Sequence, residues 1–230
     1  MPKVPATCYK CNSPATSKEH FPPRCFFPRG PNLNLQLKTV PACELHNNAK
    51  SGDDQFLLAH ICLNASKGPG LPREIFNRSI SPQLDRSQGF HASLATGAKH
   101  FKDGTAAFQV DLLRFDCFFS HLCWAIFFDR YGVAFNDSTH VINHIYFSLS
   151  TKEPHEIALR KMLNEMLKVF RDDFEAHIER YEAAKAAESV YANQIIDPAR
   201  HHGSITIVHT FYGIFEVVSM LSRREHALDA

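Results

Sequence analysis

Residues 8–11 read CYKC and residues 43–46 read CELH, so two pairs of potential metal ligands stand at the two ends of one short stretch. Two residues separate the ligands of each pair, which lets a tight turn bring both side chains to one ion. Four such ligands complete a tetrahedral zinc site with no open position, as in structural zinc centres. They are Cys8, Cys11, Cys43 and His46. We predict that zinc closes residues 12–42 into a loop and holds a unit too small for a large core.

The alternative interpretation makes Cys43 a core thiol and His46 an ordinary helix residue. The other cysteines lie beside aromatic or aliphatic residues and are interpreted as small buried apolar groups: Cys25, Cys62, Cys117 and Cys123. The total of seven is odd, which together with metal-ligand spacing indicates a reducing compartment rather than a disulfide framework. We therefore expect a cytoplasmic location. Residues 1–10 contain no apolar core of a secretory signal, and no membrane association is expected.

The segments inside and after the ligand pairs carry the residues with chemical potential. Residues 17–23 read SKEHFPP, and residues 46–51 read HNNAKS. The first segment places a carboxylate, Glu19, directly before an imidazole, His20. The second places an amide, Asn47, directly after a predicted zinc ligand. The structural interpretations are a packed loop histidine for His20 and a helix-capping amide for Asn47.

The combination resembles the HNH endonucleases, whose first strand carries an acidic residue, then His, an apolar residue and Pro. Their helix opens with a CxxC-Asn or similar element followed by x-x-Lys-Ser. The segment from Glu19 to Pro22 matches the first element, and the segment from Cys43 to Ser51 matches the second. The resemblance covers residues 8–54, about a quarter of the chain. It implies a zinc-stapled ββα unit that cleaves phosphodiester bonds.

By this resemblance His20 is the general base, and Glu19 and Asn47 are the ligands of a catalytic Mg²⁺ or Mn²⁺ ion. A histidine titrates near neutral pH and can take a proton from water. A hard divalent ion prefers oxygen ligands, which a carboxylate and an amide carbonyl supply. Adjacent strand residues point to opposite faces, so convergence of Glu19 and His20 on one phosphate requires a loop or bulge.

Two positions depart from the family pattern. His46 stands where the fourth zinc ligand is commonly Cys. The family's central Asn, which orients the base, falls near Lys38 or Thr39 here, and a lysine cannot reproduce the acceptor role of an amide.

Charge is distributed unevenly between the two ends of the chain. Residues 1–50 hold seven Lys or Arg against two acidic residues, a balance of +5, whereas the remaining 180 residues hold 18 against 22, a balance of −4. A basic head fits contact with phosphate groups, although chance clustering gives the same numbers. Lys18, Lys38 and Lys50 are the predicted nucleic-acid contacts, and Lys50 has bracing of the helix as its alternative role.

The predicted fold class is α+β, with a zinc-bound ββα module followed by a mostly α-helical body that ends in a β-hairpin. The predicted domains are a nuclease module over 1–65, a connection with short helical turns over 66–105, and the body over 106–230. Helices are predicted over 106–131 and 153–187, the latter with a stripe of Ile157, Met162, Met166, Phe170, Phe174, Ile178 and Tyr181. Strands are predicted over 190–196 and 205–218, and residues 139–149 fit strand or helix.

Hydrolysis of DNA to 5′-phosphate and 3′-hydroxyl ends is the expected function, and family inference alone suggests a bacterial restriction or anti-phage effector. The alternative is a zinc-ribbon module that binds nucleic acid or a protein without cutting it. DNA is the expected partner, with RNA left open. The aromatic body leaves open a homodimer or a regulatory protein partner.

Overall fold

The computed structural model describes residues 6–11, 13–28, 37–48, 51–65, 70–103, 106–135, 140–173, 178–183, 188–197 and 204–223. These residues form nine strands and seven α-helices in a mixed arrangement, so the predicted α+β class is confirmed. No helix in this part of the chain is long and apolar enough to cross a membrane.

A short hairpin opens the described fold. Strand β1 (Ser17–Phe21) pairs antiparallel with β2 (Lys38–Ala42), and a 3₁₀ turn at Arg24–Phe26 follows β1. Helix α1 (Glu44–Asn48) begins two residues after β2, and α2 (Ser51–Ala65) follows it. Asp53 and Asp54 lie in the first turn of α2, where carboxylates are favoured by the positive end of the helix dipole.

The predicted connection over 66–105 contains more regular structure than short turns. Helix α3 (Leu71–Ile75), a π-helical turn (Phe76–Ile80) and α4 (Ser81–Arg86) follow one another without a break. Helix α5 (Gln88–Ala95) comes next, and the two-residue strands β3 (Lys99–His100) and β4 (Ala106–Ala107) form a small antiparallel pair. Buried Leu71, Ile75 and Ile80 belong to the main core, which explains why this segment is ordered.

Helix α6 (Leu112–Tyr131) is the central element of the body. Its start is six residues later than predicted because Asp111 caps it, accepting hydrogen bonds from the amides of Leu113 and Arg114. Gly132 ends it in the left-handed conformation, at a φ of 71° that glycine adopts without strain. Ten residues between Phe115 and Phe127 are buried, so nearly every face of the helix packs against protein.

The predicted C-terminal hairpin is present, because strands over 188–196 and 205–211 pair antiparallel, but it belongs to a five-stranded antiparallel sheet that was not predicted. The strands are β5 (His140–Tyr146), β6 (Ile178–Ala183), β7 (Glu188–Ile196), β8 (Ile205–Phe211) and β9 (Phe215–Arg223). Their order is β5-β9-β8-β7-β6. The predicted single strand over 205–218 is broken by a turn in which Tyr212 and Gly213 have φ values of 51° and 71°. The open choice between strand and helix for 139–149 is settled in favour of a strand over His140–Tyr146.

Helix α7 (Pro154–Asp173) is shorter than the predicted 153–187, and the direction of its buried face differs from the prediction. Ile157, Met162 and Met166 are 52%, 53% and 47% exposed, whereas Leu167 is 4% exposed and packs in a second apolar cluster with Val208 and Val218. Ile178 and Tyr181 fit the helical stripe only by coincidence of spacing. Both lie in β6, where the Tyr181 ring contacts Tyr191 of β7 at a centroid separation of 5.8 Å.

One apolar core joins the N-terminal hairpin to the body. Phe26 of the 3₁₀ turn packs on Phe118 of α6 and Phe211 of β8, with ring centroids 5.6 and 4.8 Å apart. The buried Tyr212 hydroxyl donates to the Phe26 carbonyl at 2.8 Å. The hairpin is therefore packed against the body, and the body fixes its orientation. The division of the chain at residues 65 and 105 stays a prediction.

Candidate metal centre and catalytic residues

The four predicted zinc ligands meet at one point. Nδ1 of His46 lies 3.4 Å from Sγ of Cys8, 3.5 Å from Sγ of Cys11 and 3.2 Å from Sγ of Cys43. The Cys11 and Cys43 sulfurs are 3.9 Å apart. Zinc–sulfur bonds of about 2.3 Å and zinc–nitrogen bonds of about 2.1 Å give tetrahedral edges of about 3.8 Å (S···S) and 3.6 Å (S···N). The observed separations match these edges, so the predicted grouping is confirmed and the set can hold a zinc ion.

Backbone hydrogen bonds create the two turns that present the ligands. The Cys8 amide donates to the Ser13 carbonyl at 2.9 Å, which closes the first turn, and Thr7 and Pro14 form a β-bridge across it. The amides of His46 and Asn47 donate to the Cys43 carbonyl at 3.1 and 3.0 Å, which closes the second turn as α1 begins. The amide of Tyr9 donates to the Pro41 carbonyl at 2.7 Å and joins the two turns. The metal would thus fasten the start of the chain to the end of β2.

The zinc-ligand cluster also contacts helix α6. Tyr9 is fully buried, and its hydroxyl lies 3.0 Å from Nδ1 of His121. The Nζ of Lys10 lies 3.3 Å from the centre of the Trp124 ring, in a cation–π contact. Both ring partners belong to consecutive turns of one helix face. The cluster is consequently positioned by the body as well as by its own turns.

The predicted convergence of Glu19 and His20 does not occur in this structure. The register of β1 and β2 runs without a bulge from the Ser17–Ala42 pair to the Phe21–Lys38 pair. Side chains of a regular strand alternate between faces, so Glu19 and His20 point to opposite sides of the hairpin. Glu19 is 7% exposed and lies on the inner face with Val40, whereas His20 is half-buried on the outer face beside Thr39.

Glu19 lies close to the buried part of the zinc-ligand turn. Burial raises the pKa of the Tyr9 hydroxyl above its ordinary value, and the next largest cause is the negative charge of Glu19. A charge at Asp54 in α2 acts in the same direction. The negative charges of both carboxylates therefore act on Tyr9, and a cation near Glu19 on the inner side of the hairpin would be favourable.

Asn47 occupies the same side of the hairpin as Glu19. Its Nδ2 donates to Oγ of Ser17 at 2.9 Å, and Ser17 Oγ in turn donates to the Ala42 carbonyl at 3.1 Å. Ser17 and Glu19 are two residues apart on β1 and share a face, about 7 Å apart along the strand. The structure thus places the amide of Asn47 next to β1 but bonds it to Ser17.

The three lysines predicted to contact nucleic acid have different environments. Lys18 is exposed on β1, on the outer face that also carries His20. Nζ of Lys38 lies 2.6 Å from Asp129 Oδ2 and 2.7 Å from Glu179 Oε1, so its charge is paired with two carboxylates of the body. Lys50 lies outside the described residues. Of the two described lysines, Lys18 is therefore the one available to bind a phosphate group at the outer face of the hairpin.

Comparisons with known proteins return no relative: no family model, no curated protein and no solved structure matches this chain.

Three contacts of the site were not predicted from the sequence. The contact of Ser17 with Asn47 could have been suggested by the hairpin register. Ser17 pairs with Ala42, directly before the ligand turn that starts at Cys43 and leads to Asn47. The acidic partners of Lys38 had no sequence signal, since Asp129 and Glu179 lie 91 and 141 residues away along the chain. His121 lies in a helix rich in aromatic residues, where no sequence pattern marks it. Its contact with Tyr9 identifies it as a neighbour of the zinc-ligand turn.

Proposed function

We propose that the N-terminal unit is an HNH-type module that hydrolyses phosphodiester bonds of DNA with the help of a divalent metal ion. One observation carries the proposal: the Cys₃His set lies at the start of α1 and holds Asn47 beside the strand that carries Glu19 and His20. One small unit then contains the zinc ligands, the carboxylate, the imidazole and the amide. Along the chain these groups follow one another in the order of the family motif.

The donor chemistry of the inner face fits a hard divalent ion, because Glu19 and Asn47 both offer oxygen atoms from the same side of the hairpin. These two residues would hold Mg²⁺ or Mn²⁺. When bound, such an ion stabilises negative charge on the phosphorane and on the leaving oxygen.

His20 supplies the proton transfer in this proposal. It is half-buried on the face opposite to Glu19, so cleavage of one phosphate by this set requires β1 to rearrange until both side chains reach the same side. Its imidazole takes a proton from the water molecule whose oxygen attacks phosphorus. The bond from phosphorus to the 3′ oxygen breaks, that oxygen gains a proton from solvent, and the products carry 5′-phosphate and 3′-hydroxyl ends. Lys18, exposed on the same face, positions the DNA backbone.

The second candidate function is binding of nucleic acid or a protein without cleavage. The regular register of β1 favours it, because Glu19 and His20 diverge and cannot act on one phosphate unless the strand rearranges. On either proposal we infer a cytoplasmic protein. We likewise propose that the chain acts as a bacterial restriction or anti-phage effector.

A plasmid cleavage assay separates the two functions. Supercoiled DNA is incubated with the zinc-loaded chain in the presence and absence of Mg²⁺ or Mn²⁺, for the wild type, His20→Ala and the control His91→Ala. His91 is exposed on α5 and distant from β1 along the chain. We expect metal-dependent nicking by the wild type and the control, and a loss of about 10²- to 10⁴-fold in His20→Ala. Equal nicking by all three, or none with any metal, would leave the binding function.

A further inference from the structure

A large cleft lies on the body, formed by elements other than β1, β2 and the zinc ligands. Helices α2, α6 and α7, strand β5 and residues 106–110 surround it, and its volume is about 1170 Å³. Pockets for small organic ligands enclose about 300–1000 Å³. The cleft is therefore large enough for a ligand of that size.

The walls of the cleft account for several apolar side chains that are exposed in the structure. Leu112, Leu159 and Ile214 all line it, and they are 50%, 37% and 53% exposed. They come from α6, α7 and the turn between β8 and β9, so three distant parts of the chain place apolar surface at one site. A ligand with an apolar body would remove this surface from water, which is favourable.

Asp116 places a carboxylate in the cleft without a basic partner. Its Oδ1 accepts a hydrogen bond from the Tyr146 hydroxyl at 2.6 Å. No lysine or arginine of the described residues forms an ion pair with it, because Arg114 is paired with Asp53 and Arg160 with Glu156. The described Asp, Glu, Lys and Arg residues of the lining are Asp116, Glu156 and Arg160. Arg160 forms an ion pair with Glu156, so the negative charge of Asp116 is not compensated within the lining. A cationic ligand is favoured over an anionic one on this charge balance.

His60 adds an unused polar atom to the same lining. The residue is 6% exposed, its ring packs against Phe56 and Phe115, and its Nε2 has no hydrogen-bond partner in the structure. Burial, and secondarily the charge of Arg114, lowers the pKa of His60 to about 4, so the imidazole is neutral near pH 7. A buried polar atom without a partner is costly, and a ligand that bonded to Nε2 would remove that cost.

We propose that this cleft binds a small organic cation that has an apolar body and a protonated nitrogen bearing several N–H donors. The nitrogen lies against the Asp116 carboxylate, and the His60 ring turns its buried Nε2 toward a donor or acceptor of the ligand. Leu112, Leu159 and Ile214 cover the apolar body. This inference is independent of the proposed nuclease function, since it uses none of the residues assigned there.

Benzamidine and benzamide provide a matched pair of probes for the full-length, zinc-loaded chain. They have the same planar apolar ring and differ in charge, since benzamidine is cationic and benzamide neutral at pH 7. Isothermal titration calorimetry is run with each probe on the wild type, Asp116→Asn and the control Asp85→Asn. Asp85 is exposed on α4, is no part of the cleft lining, and loses the same charge.

We expect saturable benzamidine binding at millimolar concentration, with benzamide at least about tenfold weaker, because a hydrogen bond between charged groups is stronger than one between a neutral amide and a carboxylate. Asp116→Asn should weaken benzamidine binding by a similar factor while keeping the acceptor for Tyr146, and Asp85→Asn should not change it. Equal affinity for the two probes in the wild type, undetectable benzamidine binding, or full binding by folded Asp116→Asn would each overturn the proposal.

Discussion

Asn47 Nδ2 donates a hydrogen bond to Ser17 Oγ at 2.9 Å, and this contact fixes the residue after the last zinc ligand against the first strand. The Ser17 hydroxyl in turn donates to the Ala42 carbonyl at 3.1 Å, so β1, β2 and α1 are linked by one short chain of hydrogen bonds. The orientation of the proposed metal-binding amide therefore depends on a serine hydroxyl.

Replacement of Ser17 tests this dependence. In Ser17→Ala, Asn47 loses its acceptor, and we expect about 1 kcal/mol less stability by urea unfolding, the usual worth of one hydrogen bond. The Mg²⁺ concentration needed for half-maximal cleavage should also change, while zinc content stays the same. Thr16→Ala is the control, because Thr16 is exposed and adjacent. Wild-type stability and an unchanged Mg²⁺ dependence in Ser17→Ala would show that the contact does not position Asn47.

The two described lysines of the hairpin should contribute unequally to DNA binding. Lys18 is exposed, whereas Lys38 is paired with Asp129 and Glu179. We expect Lys18→Ala to weaken binding and to reduce the slope of log affinity against log salt by about one, the signature of one lost phosphate contact. Lys38→Ala should leave the slope close to that of the wild type. Fluorescence anisotropy of a labelled duplex at several salt concentrations measures both, and a larger slope change in Lys38→Ala would contradict the assignment.

Lys38→Ala should instead affect stability, and only modestly. All three charged side chains are about one-third or more exposed, so solvent screens the pairs and each contributes at most about 1 kcal/mol. The urea midpoint measures this.

Stability should fall as the pH decreases below about 6.5. Burial lowers the pKa of His60 and His144 to about 4 and that of His209 to about 3 in the folded chain, whereas an unfolded histidine titrates near 6.5. Between these values the unfolded chain binds protons that the folded chain does not, which favours unfolding. The contribution of each histidine is thus fully present above pH 6.5 and is lost as the pH falls toward its folded pKa.

His60→Leu isolates one of these histidines from acid loss of zinc. Nε2 of His60 has no partner, so the substitution removes a titrating group without breaking a hydrogen bond to that atom. The free energy of unfolding of the variant should depend less steeply on pH between 6.5 and 4, by about 1.4 kcal/mol per pH unit. Parallel curves for the variant and the wild type would mean that His60 does not titrate as described.

The sequence was most informative where chemistry is local. The two-residue spacing of Cys8 and Cys11, and of Cys43 and His46, was sufficient to predict the metal cluster, because a turn of that length leaves few other arrangements. The buried helix α6 was also predictable from its long apolar run.

Prediction failed where distant contacts decide the structure. Ile178 and Tyr181 continue the spacing of a helix, yet pairing with β7 places them in a strand, because tertiary contacts override local pattern. The turn at Tyr212 is another example, since a tyrosine with positive φ has no sequence signal, and its hydroxyl bond to Phe26 compensates. The opposite orientation of Glu19 and His20 follows from the regular register, which the motif alone does not specify.

Every proposal for the N-terminal unit requires that Cys8, Cys11, Cys43 and His46 hold zinc, and native mass spectrometry of the purified chain measures this directly. We expect one zinc ion per wild-type chain and loss of the ion in Cys11→Ser, with full retention in the control Cys117→Ser, whose cysteine is exposed on α6. A wild-type chain that carries no zinc after purification in zinc-containing buffer, or a Cys11→Ser chain that keeps it fully, would contradict the account.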